Sequence, residues 1–256
     1  MRYKITLSYD GAPFSGWQIQ PNAPSVQACL QHCLSTLLRE EIAVTGAGRT
    51  DAGVNGIRYC AHFDSHCAGL ETADFVYKLN AILPRSVVVH EVAAAADDFH
   101  ARFDASLRSY RYFIHRRKDP FADRFSWHCG FPLDVDAMNA AAALIPGRRD
   151  FSCFEKTGGS NKTSICTVRE AVWTPYTPDH VRLMGYPAQE GDYLVFHIEA
   201  DRFLRNMVRA VVGTLVDVGR GRHDISWMAS LLESGTRSDA GESVPGHALF
   251  LDNVIY

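Results

Sequence analysis

The chain has 256 residues, 46% of them hydrophobic, and a formal net charge of −3, which allows a sizeable core in one large domain or two joined halves and argues against a protein that coats nucleic acid indiscriminately. No apolar run approaches the about 20 residues that cross a bilayer, and the opening MRYKITLSYD mixes charged with alternating apolar residues, so the expected location is the cytoplasm, with no membrane partner. The seven cysteines are an odd number without C-x-x-C pairs and suggest neither a disulfide framework nor a cysteine zinc site.

Alternation of Tyr3, Ile5, Leu7 and Tyr9 predicts a strand over 3–9. Ser25 then caps a helix whose apolar positions Val26, Cys29, Leu30, Cys33, Leu34, Leu37 and Leu38 fall at helical spacing. Strands are expected over 42–45 and 57–63, on either side of a glycine-rich loop. A helix over 72–82 with Phe75, Val76, Leu79 and Ile82 on one side is stopped by Pro84, and a β-branched strand over 86–92 follows. Cys60, His62, His66 and Cys67 crowd together, but alternating strand positions followed by a turn explain them without a metal.

The order so far is β-α-β-β-α-β, the split ferredoxin-like unit, and it begins again after 96–100. Strands are expected over 107–115, 164–173, 180–184, 192–200 and 248–256. Helices are expected over 136–145, 203–218 and 225–232. The expected fold is α+β: two related ferredoxin-like halves, 1–98 and 99–256, with mainly antiparallel sheets joined side by side. An open sheet face bearing aromatic and basic residues is a common platform for nucleic acid.

The loop after the second strand reads GAGRTDAG, from Gly46 to Gly53. A dinucleotide-binding fingerprint starting at Gly46 would place its third glycine at position 51, which is Asp51, a carboxylate that would repel phosphate. The phosphate loop of nucleotide hydrolases needs a lysine after its last glycine, whereas Gly53 is followed by Val54. No nucleotide cofactor is therefore expected. Two readings remain open on the pattern alone: a tight turn in which Asp51 holds its own backbone, and a catalytic carboxylate presented at a sheet end.

Basic residues are clustered. The stretch 99–118 carries Arg102, Arg108, Arg111, Arg116, Arg117 and Lys118 against the lone acid Asp104, with aromatics between them. The stretch 201–222 adds Arg202, Arg205, Arg209, Arg220 and Arg222. Such runs can hold phosphates and stack bases, and a solvated strand face is an equally ordinary explanation for either one alone. If the second helix starts at Phe203, then Arg202, Arg205 and Arg209 share one face. Arg209 would lie where that stripe meets apolar surface, in need of a carboxylate or phosphate. Asp51 is one candidate; backbone carbonyls or another acid are the alternatives.

Four stretches, YDGAPFSGWQ with SVQ, GRTDAGV, FHARF followed by RSYRY, and FLRNMVRAVVGTL, resemble the tRNA pseudouridine synthase A family in order along the chain. The resemblance implies isomerisation of uridine to pseudouridine at positions 38, 39 and 40 of the tRNA anticodon arm, by a homodimer with no metal or organic cofactor. It implies that Asp51 is the nucleophile, that Arg209 is its basic partner, and that Tyr110 stacks on the target uracil. Arg49 would take the place of the extruded base, and Phe99, His100, Ala101, Arg102 and Phe103 would contact RNA. The family pattern commonly has histidine where this chain has Asn55, and the loop 155–164 is poorly matched to it, although Lys156 and Lys162 flank its glycines.

Two rivals differ in class. A non-catalytic RNA-binding module has a use for the basic and aromatic residues and none for Asp51. A nucleotide-dependent oxidoreductase would need the glycine loop to lead into a helix.

Overall fold

The computed structural model describes residues 1–158 and 162–256, which form two compact units, Met1–Arg108 with Phe250–Tyr256 and Ser109–Leu249. Both are mixed α and β, with mostly antiparallel strands.

The first unit contains β1 (Arg2–Tyr9), α1 (Val26–Leu38), β2 (Val44–Gly46), β3 (Asn55–Asp64), α2 (Ala73–Ile82) and β4 (Val87–Ala95). Alternation in β1 buries Tyr3, Ile5, Leu7 and Tyr9, and register sets the first three opposite Phe63, Ala61 and Tyr59 of β3. β1 lies between β3 and β4, antiparallel to both. The other edge of β3 is shared, Ala61 to Phe63 pairing with β2 and Asn55 to Gly56 running parallel to Phe250 and Leu251.

Both helices of this unit start on side-chain caps: Ser25 accepts from the Ala28 N–H at 3.2 Å, and Thr72 from the Phe75 N–H at 3.2 Å. They bury Val26, Leu30, Cys33 and Leu34 of α1 and Phe75 and Leu79 of α2. The opposite face of β3 carries Cys60 and His62. There Cys60 packs with Ala47 and Ala101 in a small separate cluster, edged by Phe99 and Val254.

The second unit contains β5 (Leu107–His115), β6 (Trp127–His128), α3 (Val135–Ala142), β7 (Gly147–Asp150), β8 (Ile165–Pro175), α4 (Asp179–Met184), β9 (Tyr193–Ala200), α5 (Met207–Gly219) and α6 (Ile225–Ser234). Its strands run in the order β5-β9-β8-β7, with β8 antiparallel to both neighbours and β6 parallel to β5. β10 (Leu249–Ile255) closes the chain. The core of this unit is built on α5, where every residue from Ala210 to Val216 is buried.

Three sequence expectations are corrected here. The strand expected over 180–184 is the helix α4, preceded by Pro178 and ended by Gly185 at φ 70°, a left-handed stop. The helix expected from Phe203 starts at Met207, because Asn206 takes a left-handed conformation at φ 64° and its Nδ2 donates to Ser243 Oγ at 2.5 Å. Arg202 and Arg205 therefore precede the helix and share no helical stripe with Arg209. The short strands β6 and β7 were not expected at all.

Candidate active site

Asp51 sits half-buried in the loop between β2 and β3, and hydroxyl groups hold that loop from beneath. The Tyr59 hydroxyl donates to the Gly48 carbonyl and accepts from the Gly48 N–H at 3.3 Å. The Tyr9 and Thr50 hydroxyls share a buried hydrogen bond of 2.9 Å. Trp17 stacks on Tyr59 with ring centroids 4.0 Å apart, and its backbone N–H donates to the Thr50 carbonyl at 3.2 Å. Gly16, at φ 101°, lies so close to Thr50 that a Cβ would collide with its carbonyl.

The stretch YDGAPFSGWQ is thus a cradle for the aspartate loop. The loop then turns sharply: the Val54 N–H donates to the Asp51 carbonyl at 3.2 Å, and Gly53 takes φ 75°. Asn55 is buried and accepts from the Gly11 N–H at 2.8 Å, tying loop to cradle. Arg49 is exposed on the loop, one residue from the buried Thr50.

The segment 99–103 folds against the same unit. Ala101 is fully buried, its N–H bonded to His62 Nδ1 at 3.1 Å and its carbonyl to the Tyr256 hydroxyl at 2.8 Å. Arg102 and Phe103 are exposed, Phe103 by 73%, with the guanidinium 5.7 Å from the ring centroid. Arg108 donates to the carbonyls of Ala105 at 2.7 Å, of Ala47 at 3.2 Å and of Arg102. One guanidinium thereby links the segment to the start of the aspartate loop, and these contacts are structural ones.

In the second unit, Tyr110 and Tyr112 lie on one face of β5. Tyr112 is wholly buried, and its hydroxyl donates to the Pro245 carbonyl at 3.0 Å; burial pushes the phenol far above its ordinary pKa. Tyr110 meets Phe203 edge to face at 5.0 Å and keeps 8% exposure. Arg209 lies in the first turn of α5, half-buried, with Nε donating to the Val244 carbonyl at 2.7 Å and its own carbonyl accepting from the Val244 N–H at 3.3 Å. The Nε bond orients the guanidinium, and the backbone bond ties the start of α5 to Val244.

Residues 140–256 match a family model described as tRNA pseudouridine synthase. Over the whole chain the protein is similar to the tRNA pseudouridine synthase A of Porphyromonas gingivalis, 45% identical across 100% of this chain and 97% of the relative. The namesakes of Bacteroides fragilis and Bacteroides thetaiotaomicron are 45% and 46% identical, across 100% of this chain and 96% and 90% of their own lengths. The chain belongs to the tRNA pseudouridine synthase family. It is an isomerase acting on tRNA.

The supports of the aspartate loop in this synthase carried no role in the sequence reading. Tyr9, Trp17, Thr50 and Tyr59 were visible only as alternating or motif positions. The usable signal was two tyrosines and a tryptophan on elements flanking a glycine loop, where a hydroxyl can satisfy turn backbone that strands leave unpaired.

Among the described residues, one group of side chains has metal-ligand types close together: Glu170, His197 and Glu199 on β8 and β9. The His197 ring lies between the two carboxylates, with Nδ1 3.3 Å from Glu170 and Nε2 3.5 Å from Glu199. Cys60 is packed in the small core cluster, and His66 and Cys67 are exposed. Of the loop 155–164, residues 159–161 lie outside the described residues; Lys156 donates its N–H to the Arg205 carbonyl at 3.1 Å.

Proposed function

We propose that the synthase converts uridine to pseudouridine at positions 38, 39 and 40 of the tRNA anticodon stem-loop, with Asp51 acting on a flipped-out nucleotide. The observation that carries this reading is the build of the aspartate loop: Gly48 and Thr50 are each held by a tyrosine hydroxyl, so the carboxylate is presented from a rigid turn. A turn that merely joined two strands would need no such support.

The reaction breaks the N1–C1′ bond, rotates the uracil and joins its C5 to the same carbon. Nothing is oxidised and no group leaves, so neither a metal nor an organic cofactor is required. A carboxylate serves by adding to the sugar or base, or by removing a ribose proton to give a glycal. Either route needs Asp51 ionised, and Arg209 is proposed as its basic partner.

The target atoms are hidden in a stacked helix, and turning the nucleotide out costs about a few kcal/mol. Stacking on Tyr110 returns about 1–3 kcal/mol, and Arg49 would fill the space left behind. Within the segment 99–103, Phe99, His100, Arg102 and Phe103 would contact the RNA while the buried Ala101 anchors them, with specificity from shape and phosphate contacts. We further propose two related ferredoxin-like halves, 1–98 with the aspartate loop and 99–256 with Tyr110 and Arg209, in a cytoplasmic homodimer.

The test is to incubate the protein with unmodified tRNA transcripts and map pseudouridine along the anticodon arm. Asp51→Ala is expected to bind tRNA normally and to lose activity by about 10²–10⁴-fold or more. Folded wild-type protein that makes no pseudouridine at positions 38 to 40, or an Asp51→Ala variant that still makes it, would sink the reading.

A further inference from the structure

His62 is buried on β3, 6% exposed, on the face that carries Cys60 and not the face opposite Tyr3, Ile5 and Leu7. No chemical step uses it. Its Nδ1 accepts the backbone N–H of Ala101 at 3.1 Å, and that bond sets the tautomer: Nδ1 offers a lone pair, so the proton of the neutral ring is on Nε2. The ring also meets the edges of His100 and Phe99, at 5.0 and 6.1 Å between centroids. The other end of the Ala101 backbone is held too, its carbonyl accepting from Tyr256 at 2.8 Å. Immediately after this pinned residue come the exposed Arg102 and Phe103. His100 continues the support, Nδ1 accepting from the N–H groups of Arg102 at 3.1 Å and Phe103 at 3.3 Å.

We propose that His62 is a positioning residue for tRNA binding: as a neutral acceptor it pins Ala101 and so holds Arg102 and Phe103 in the arrangement that meets the RNA. The inference rests on the reading that 99–103 contacts tRNA. A phenylalanine of similar bulk could fill the same space, but it would leave the Ala101 N–H buried without an acceptor. What the site selects for at this position is therefore a lone pair at Nδ1.

The charged and titratable groups around the ring are Arg2 and Lys4 from β1, Asp64 from β3, and His100 and Asp104 from the folded-back segment, with Cys60 and Tyr256 beyond. Burial is the main reason the imidazole titrates below its ordinary value, Arg2 and His100 add to the effect, and Asp64 and Asp104 oppose it. Protonation would set a second donor at Nδ1 against the Ala101 N–H. The anchor is thus present above the ordinary histidine value and is lost as pH falls through the lowered one. Protonation of surface imidazoles works in the opposite direction, since added positive charge strengthens attraction to phosphate.

The experiment measures the Kd for an unmodified tRNA transcript, with kcat and KM, on the full chain. His62→Phe removes the acceptor, and Kd and KM are expected to rise about tenfold with kcat little changed. His62→Asn places an amide oxygen near the Nδ1 position and does not titrate; it is expected to restore affinity to within about threefold. As pH falls below the ordinary histidine value and through the lowered one, the wild type should lose affinity relative to His62→Asn. That ratio needs no destabilised variant, so it decides the matter even if His62→Phe does not fold. The proposal is overturned if His62→Asn binds as weakly as His62→Phe, if kcat falls while KM holds, or if the affinity ratio ignores pH. Arg102→Ala with Phe103→Ala separates the two layers. If that pair leaves affinity unchanged, the segment does not contact tRNA and both readings fall; if it weakens binding and His62→Phe does not, only the role of His62 falls.

Discussion

Tyr59 holds the loop on which the proposed chemistry depends. Its hydroxyl meets both polar groups of Gly48, and its ring is clamped between Trp17 at 4.0 Å and Tyr9 at 5.6 Å. Tyr59→Phe keeps the packing and removes only the oxygen. The cost should be about 1–2 kcal/mol, because the Gly48 N–H and carbonyl each lose a partner close to the core. On the proposed role of Asp51, three residues further on, the functional consequence is larger than the stability change suggests, since a misplaced carboxylate would slow the reaction without touching tRNA phosphates. We expect kcat to fall about tenfold with KM unchanged, measured under single-turnover conditions. An equal loss in KM would mean that the loop serves binding and not presentation. Asn55 belongs to the same scaffold: its amide oxygen ties the loop to Gly11.

At the scale of elements, α5 and the strap that crosses it form one device. Gly213 lies against the Glu242 carbonyl so closely that a Cβ would collide with it, a Cβ at Gly241 would crowd the Thr214 backbone at 2.7 Å, and the Gly241 N–H donates to Thr214 Oγ1 at 2.9 Å. One turn earlier Arg209 and Val244 exchange hydrogen bonds, so whatever displaces the strap displaces the guanidinium. Gly213→Ala sets two effects against each other: helix propensity improves by about 1 kcal/mol, and overpacking against backbone costs about 1–3 kcal/mol or more. The neighbour here is a carbonyl and not a flexible side-chain tip, so the second effect should win, with a lower urea midpoint and reduced kcat. A stabilised, fully active variant would show that the strap moves freely.

The same helix marks how far the sequence could be read. Its apolar period was plain from Met207 to Val218, as were the capped helices of the first unit, because burial on one face writes itself into spacing. The start was misplaced because RFLRN contains good helix formers, and only the left-handed turn at Asn206 stops them. α4 was misread as a strand because Val181 and Leu183 alternate, although Pro178 and Gly185 were the available stop signals. Asp51 and the glycines around it were legible as an oddity. Their supports were not, because a hydroxyl-to-backbone bond across 11 residues and a hydroxyl-to-hydroxyl bond across 41 leave no local pattern.

For the molecule as a whole, the two deeply buried imidazoles govern stability in mild acid. His62 in the first unit and His115 in the second are 6% and 1% exposed. Both titrate below the ordinary value of 6.5, His62 through burial with help from Arg2, His115 through burial and the neighbouring His128. Above that value both are neutral whether folded or not, and their contribution is fully present. Below it the unfolded chain takes up protons that the folded chain refuses, so stability falls with pH until the lowered values are passed. The slope cannot exceed about 1.4 kcal/mol per pH unit for each ring. Carboxylates act later. Asp64 is lowered by its hydrogen bond from Arg2, and Asp119 is lowered because bonds from Tyr193, the Phe121 N–H and His180 outweigh the opposing effect of burial. Their contribution persists above the ordinary 3.8 and disappears only as pH falls through the lowered values. Urea unfolding followed across pH should therefore show two stages of loss, the imidazole stage setting in below 6.5 and the carboxylate stage below 3.8. His62→Asn keeps an acceptor near Nδ1 and His115→Asn keeps a polar partner for Ser126, and each should remove its own share of the first stage while leaving the second in place. A first stage that survives in the double variant would assign the loss to surface charge, and both imidazoles would then be plain core residues.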